Sequence, residues 1–162
     1  MTMIQTGKIR NYIITAIFIA AAFIALRPQI AYLLYRRSGD YLNATFVADA
    51  ARSYRKTLFF NGRDVDSRNW LAYCYTKLGE NDKAVAEYKT AIGLDPDNVT
   101  AYYDLGATMM QAGDIASAKE LFNKAINCRK SANITDSNYK FYVRSAGHML
   151  RIMDKKSGAS GR

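Results

Sequence analysis

The feature that most limits what this chain can fold into is a recurrence at a spacing of 34 residues. Leu71, Ala72, Gly79, Ala84, Tyr88, Ala91 and Ile92 return as Leu105, Gly106, Gly113, Ala118, Phe122, Ala125 and Ile126. One period earlier the same register meets Tyr41, Ala50, Tyr54 and Leu58. A fixed period of this length, carried by small and aromatic residues at helical spacing, marks a stack of helix pairs. No such unit buries its own apolar face, so neighbouring units must cover one another. The predicted fold class is therefore all-α: a helical solenoid of three units, residues 31–64, 65–98 and 99–132.

The pattern inside each unit resembles the tetratricopeptide repeat (TPR) family. The middle unit carries that family's small, aromatic, Gly, Ala, aromatic, Ala and Pro places as Ala72, Tyr75, Gly79, Ala84, Tyr88, Ala91 and Pro96. The third keeps Gly106, Gly113, Ala118, Phe122 and Ala125 but has Met109 and Lys130 in the other two places. The first is degenerate: it keeps Tyr41, Ala50 and Tyr54 but has Ser38, Thr45, Thr57 and Gly62. The resemblance implies an architecture and a protein partner, not a chemistry. It places the partner in a groove lined by the first helix of each pair. Carried over place by place, the candidate groove residues are Tyr32, Tyr35, Asn69, Tyr73, Lys77, Tyr103, Met110 and Gln111. Tyr35, Tyr73 and Tyr103 form an aromatic ladder in this reading, since Tyr offers large contact area at low entropic cost. The competing reading makes some of these residues inter-repeat packing. Only Lys77 matches the clamp that some family members use for a partner's terminal carboxylate.

Ahead of the repeats, Asn11 to Leu26 is 16 residues without a charge. As a helix it spans about 24 Å, a little short of the ~30 Å hydrocarbon core of a bilayer. Arg10 and Arg27 at its ends can reach the head groups. Tyr12, Ile13, Ile14, Ile17, Phe18, Ile19, Phe23, Ile24 and Leu26 are apolar on every side of that helix, which argues against an amphipathic surface helix. Three readings compete: a single-pass membrane anchor, a cleaved signal peptide with Ala20-Ala21-Ala22 as its small-residue site, and a helix buried against copies of itself. A short tail before a large domain places the repeats on the extracytoplasmic side in the first reading. Pro28 predicts a kink or a fresh helix start at Arg27–Pro28, dividing a tail and hydrophobic helix, residues 1–30, from the repeats. With no flexible linker between them, the repeats should stand stiffly on that helix.

Phe46–Phe60, Ser67–Leu78, Asp82–Leu94, Thr100–Gln111 and Ile115–Asn127 read as the remaining repeat helices. Asp82 and Asp114 are the expected N-caps of two of them. Residues 133–154 read as a capping helix, with Tyr139, Tyr142, Val143, Ala146, Met149, Leu150 and Met153 on its apolar face. Residues 155–162 read as a mobile Gly/Ser tail.

The net charge of +9 is uneven: +7 over residues 1–63, −4 over 64–128 and +6 over 129–162. Basic ends suit anionic lipid head groups, or the acidic middle of a neighbouring copy. No stripe of basic and aromatic residues follows the groove, so nucleic acid is not an expected partner. Catalytic and phosphate-binding motifs are absent from the sequence, as is any metal-ligand spacing around His148, Cys74 or Cys128. No enzyme activity, cofactor or small-molecule substrate is expected. Asn43, Asn98 and Asn133 begin Asn-x-Thr sequons and are candidate glycosylation sites.

The leading reading is a non-enzymatic, membrane-anchored scaffold that binds a protein partner. The alternative is a structural subunit that polymerises into an extracellular, pilus-like filament through its N-terminal helix and unlike solenoid ends. In outline, a long apolar helix running into a soluble body is similar to type IV pilins. Gln5, Lys8 and Arg10 depart from the pilin pattern.

Overall fold

The computed structural model describes residues 3–43, 46–131 and 134–159. Seven helices follow in order: α1 (Met3–Asn43), α2 (Val47–Phe60), α3 (Val65–Lys77), α4 (Asn81–Leu94), α5 (Val99–Gln111), α6 (Ile115–Asn127) and α7 (Asp136–Ala159). Each packs mainly on its sequence neighbour, and α5 also touches α3 and α7. That is the connectivity of a solenoid: α1/α2, α3/α4 and α5/α6 are the three pairs, and α7 closes the stack.

The core repeats with the sequence. Ala50, Ala84 and Ala118 are completely buried, as are Thr57, Ala91 and Ala125. Tyr54, Tyr88 and Phe122 fill the space beside them and are at most 2% exposed. The degenerate first unit obeys the same geometry. Ser38, which stands where the others have Ala72 and Gly106, is buried and donates its hydroxyl to Leu34 O at 2.7 Å. Thr57 likewise donates to Ser53 O at 3.2 Å. Each hydroxyl is satisfied on its own helix, so a polar atom enters the core with a partner.

Gly106 marks a close approach between paired helices. A Cβ at this position would lie 3.0 Å from Phe122 Cε1. Gly79 and Gly113 have a different role: each takes positive φ, 76° and 86°, in the turn between the helices of a pair. N-caps stand at both kinds of junction, Asp64 and Asn98 between pairs and Asp114 within one. Asp64 accepts from the backbone N–H of Ser67, Asn98 from Ala101 and Asp114 from Ser117. Asp82 is not a cap: α4 begins at Asn81 behind Glu80, so Asp82 lies in the first turn.

The fresh helix start expected at Pro28 is absent: α1 runs as one helix across it. An interior proline removes one backbone hydrogen bond, but α2 grips α1 on both sides of it. Phe23 meets Phe60 with ring centroids 6.0 Å apart, Arg27 donates to Phe59 O at 3.1 Å, and Tyr35 meets Tyr54 at 6.0 Å. The apolar stretch before that grip is uncovered: residues 11–22 are exposed throughout. Among the described residues, α1 is the one helix long and apolar enough to cross a membrane. At the other end, α7 continues to Ala159, past the expected end at Asp154.

Candidate partner-binding cleft

A cleft of about 430 Å³ runs across the repeats. Its lining comes from α1, α3, α5, α7 and the connections before α5 and α7, with nothing from α2, α4 or α6. The first helices of the pairs thus face the cleft and the second helices stand behind them.

Of the residues expected there, Tyr35, Asn69 and Tyr73 line it. Tyr32, Lys77, Tyr103, Met110 and Gln111 do not. Tyr103 leaves the ladder because α7 covers it: its ring packs 5.6 Å from Phe122 and 5.5 Å from Tyr142. Met110 packs against the same C-terminal core. Tyr32 is 62% exposed away from the cleft. Lys77 lays its ammonium over the Tyr73 ring, 5.1 Å from the centroid, a cation–π contact beside the site. Tyr142, from the capping helix, takes the place in the lining that Tyr103 was expected to hold.

Trp70 and Asp104 also line the cleft, and they occupy the same place in successive units. The sequence carried a signal for this pair. Asp104 is the single Asp, Glu, Lys or Arg in α5, VTAYYDLGATMMQ, and a lone acid within an apolar helix is seldom only a solvated surface group.

Asn98, a candidate for a sugar, is 6% exposed, caps α5, and exchanges two side-chain hydrogen bonds with Asn69, both 3.3 Å. This amide pair fastens α3 to the connection before α5 at the cleft wall. The Asn43 side chain and Asn133 lie outside the described residues.

Every Asp, Glu, Lys or Arg lining the cleft is an acid: Asp66, Asp95, Asp97 and Asp104. Asp97 is engaged, accepting from the Arg129 backbone and guanidinium at 3.0 Å each. Those bonds hold its carboxyl below the usual range. Asp95 accepts from the Asp97 N–H at 3.1 Å. Asp66 is raised by burial and then by the charges of Asp64 and Asp95. Asp104 is pushed up to about 7 by burial, with Lys77 pulling weakly the other way. Tyr142, beside it, is raised to about 12 by burial and by the Asp104 charge. The two thiols lie elsewhere: Cys74 and Cys128 are buried, unbridged, and raised to about 11 by that burial.

The family description "TPR repeat" matches residues 72–113, and "Tetratricopeptide repeat" matches 99–130. The chain carries tetratricopeptide repeats. DnaJ homolog subfamily C member 3 of Gallus gallus is 39% identical over 51 residues, 32% of this chain. The chain's match spans about a tenth of that relative, 10% of its length. Among solved structures, the type III secretion translocator chaperone SycD of Yersinia enterocolitica aligns with a TM-score of 0.72 at 18% identity, covering 80% of this chain and 95% of SycD. PcrH in complex with the chaperone-binding region of PopD aligns at 0.69 and 19%, covering 78% and 92%. The first TPR of Spaghetti (RPAP3), bound to an HSP90 peptide, aligns at 0.67 and 18%, covering 80% and 95%. At these identities the likeness is one of fold.

Proposed function

We propose that this chain is a non-enzymatic, single-pass membrane scaffold whose TPR array holds an extended segment of a partner protein in the cleft. The observation that carries the reading is the lining itself: the first helices of the three pairs and the capping helix, with none of the second helices, bring Tyr35, Trp70, Tyr73 and Tyr142 to one concavity. Aromatic residues in a concave site supply most of the contact energy in protein recognition. The reading is supported by the TPR neighbours whose structures hold peptides, PcrH with PopD and RPAP3 with an HSP90 peptide. The anchor is residues 12–26 of α1, with the repeats on the extracytoplasmic side.

Panning a random dodecapeptide library against the full chain in lipid nanodiscs tests the cleft. Enriched peptides should lose binding to Trp70→Ala and Tyr73→Ala variants of unchanged helicity. Binding that survives both substitutions refutes the cleft. Flotation with liposomes tests the anchor, and the full chain should rise with the lipid while Ile17→Lys/Phe18→Lys does not.

One observation favours a second reading. The apolar half of α1 ahead of Phe23 is exposed yet continuous with the first repeat, so copies of the chain would cover it as well as lipid would. Electron microscopy of detergent-free material decides: uniform fibres make the chain a filament subunit, and vesicle-bound particles keep the scaffold.

A further inference from the structure

The chemistry of the cleft narrows what it holds. Two of its four carboxylates are committed, Asp97 to Arg129 and Asp95 to the turn that contains Asp97. Asp66 and Asp104 form no ion pair among the described residues. The same lining holds Trp70, Tyr73 and Tyr142, and the Asp104 charge acts on Tyr142. Carboxylates set among aromatic faces suit a cation, which pairs with the first and stacks on the second. An acidic segment would add like charge to a site that already holds four acids. A purely apolar one would cover the half-buried Asp104 and leave it without a partner.

We infer that the cleft selects a segment bearing a lysine or arginine, and seats that cationic side chain against Asp104 beside Tyr142 and Tyr73. The inference rests on the cleft being the partner site and specifies what the site reads. It separates this array from a carboxylate clamp, which needs cations in the protein. Here Lys77, the one cation acting on Asp104, stands over Tyr73 outside the lining. The other ionisable groups that feel Asp104 are Tyr88 on α4, Tyr103 on α5 and Tyr142 on α7. All three are raised phenols, so none changes charge near neutrality. The raised carboxyl of Asp104 supplies the driving force, because a bound cation stabilises the ionised form that burial disfavours.

The test uses the full chain in nanodiscs with carboxyl-13C aspartate. The probes are N-acetyl-arginine amide and, as its neutral isostere, N-acetyl-citrulline amide. Saturating arginine amide should lower the Asp104 titration midpoint by about one pH unit or more, a tenfold coupling, while citrulline amide leaves it in place. Affinity for arginine amide should rise as Asp104 ionises through pH 6–8. It should fall about tenfold in Asp104→Asn, the scale of one charge-assisted hydrogen bond. Equal responses to the two probes, or none to either, overturn the inference. The dodecapeptide selection separates it from the broader reading. Cleft-dependent peptides without Lys or Arg enrichment would sink the cation and keep the cleft. A response to arginine amide without any peptide binding would do the reverse.

Discussion

Asp104→Asn should stabilise the protein, by an amount that depends on pH in one direction. The carboxyl stands near 7 in the folded chain against 3.8 for an ordinary aspartate, with burial the main cause. Between those values the folded state keeps a proton that the unfolded chain has released, so stability falls as pH rises from about 4 to about 7. Above 7 both states are ionised and the penalty is constant. Three decades at about 1.36 kcal/mol each put its ceiling near 4 kcal/mol. Asparagine has nearly the same shape and no charge, so it removes the pH-dependent part alone. Urea unfolding followed by far-ultraviolet circular dichroism, on full chain and variant in the same detergent from pH 4 to 8, reads the difference directly. All other titrating groups are common to both proteins and cancel. The variant should gain little at pH 4 and up to about 4 kcal/mol at pH 8. A difference that stays flat across this range, or that shrinks as pH rises, refutes a carboxyl held up by burial.

Gly106→Ala should destabilise by roughly 1–3 kcal/mol, because its methyl would press on Phe122; chemical denaturation would show a stability gain instead if helix propensity governed this site. Asn98→Ala should lose about 1–3 kcal/mol through the cap on Ala101 and the bonds to Asn69. The same asparagine should be free of sugar by mass spectrometry of natively expressed protein. Gly79→Ala and Gly113→Ala should each cost on the order of 1 kcal/mol, measured by the same unfolding curves, because an L side chain resists their positive φ.

The repeat was legible because it is written in residues whose burial has one outcome. Ala84, Tyr88 and Ala91 return as Ala118, Phe122 and Ala125, and all six are completely buried. Even the degenerate unit follows, since Ser38 and Thr57 keep the required size and satisfy their hydroxyls locally. What sequence reasoning missed depended on contacts from elsewhere. Local rules for Pro28 omit α2 holding the helix on both sides. The family's groove places omit the last helix, which removes Tyr103 and substitutes Tyr142. Asp104 was not among the expected groove residues because its place in the lining depends on α3, α5 and α7 coming together.

The unbroken α1 has a consequence for where the cleft looks. A helix transmits angle as well as distance: each residue adds 1.5 Å and 100°. The apolar half and the first repeat are segments of a single screw, so the heading of the array about that axis is set by the count of residues between them. One residue inserted just before Phe23 would swing the preceding segment about 100° relative to the array and shift it by about 1.5 Å. An insertion of seven, close to two whole turns, would nearly restore the heading while lengthening the stalk by about 10 Å. Whatever receives the apolar half, lipid or neighbouring copies, the compass bearing of the array is set there.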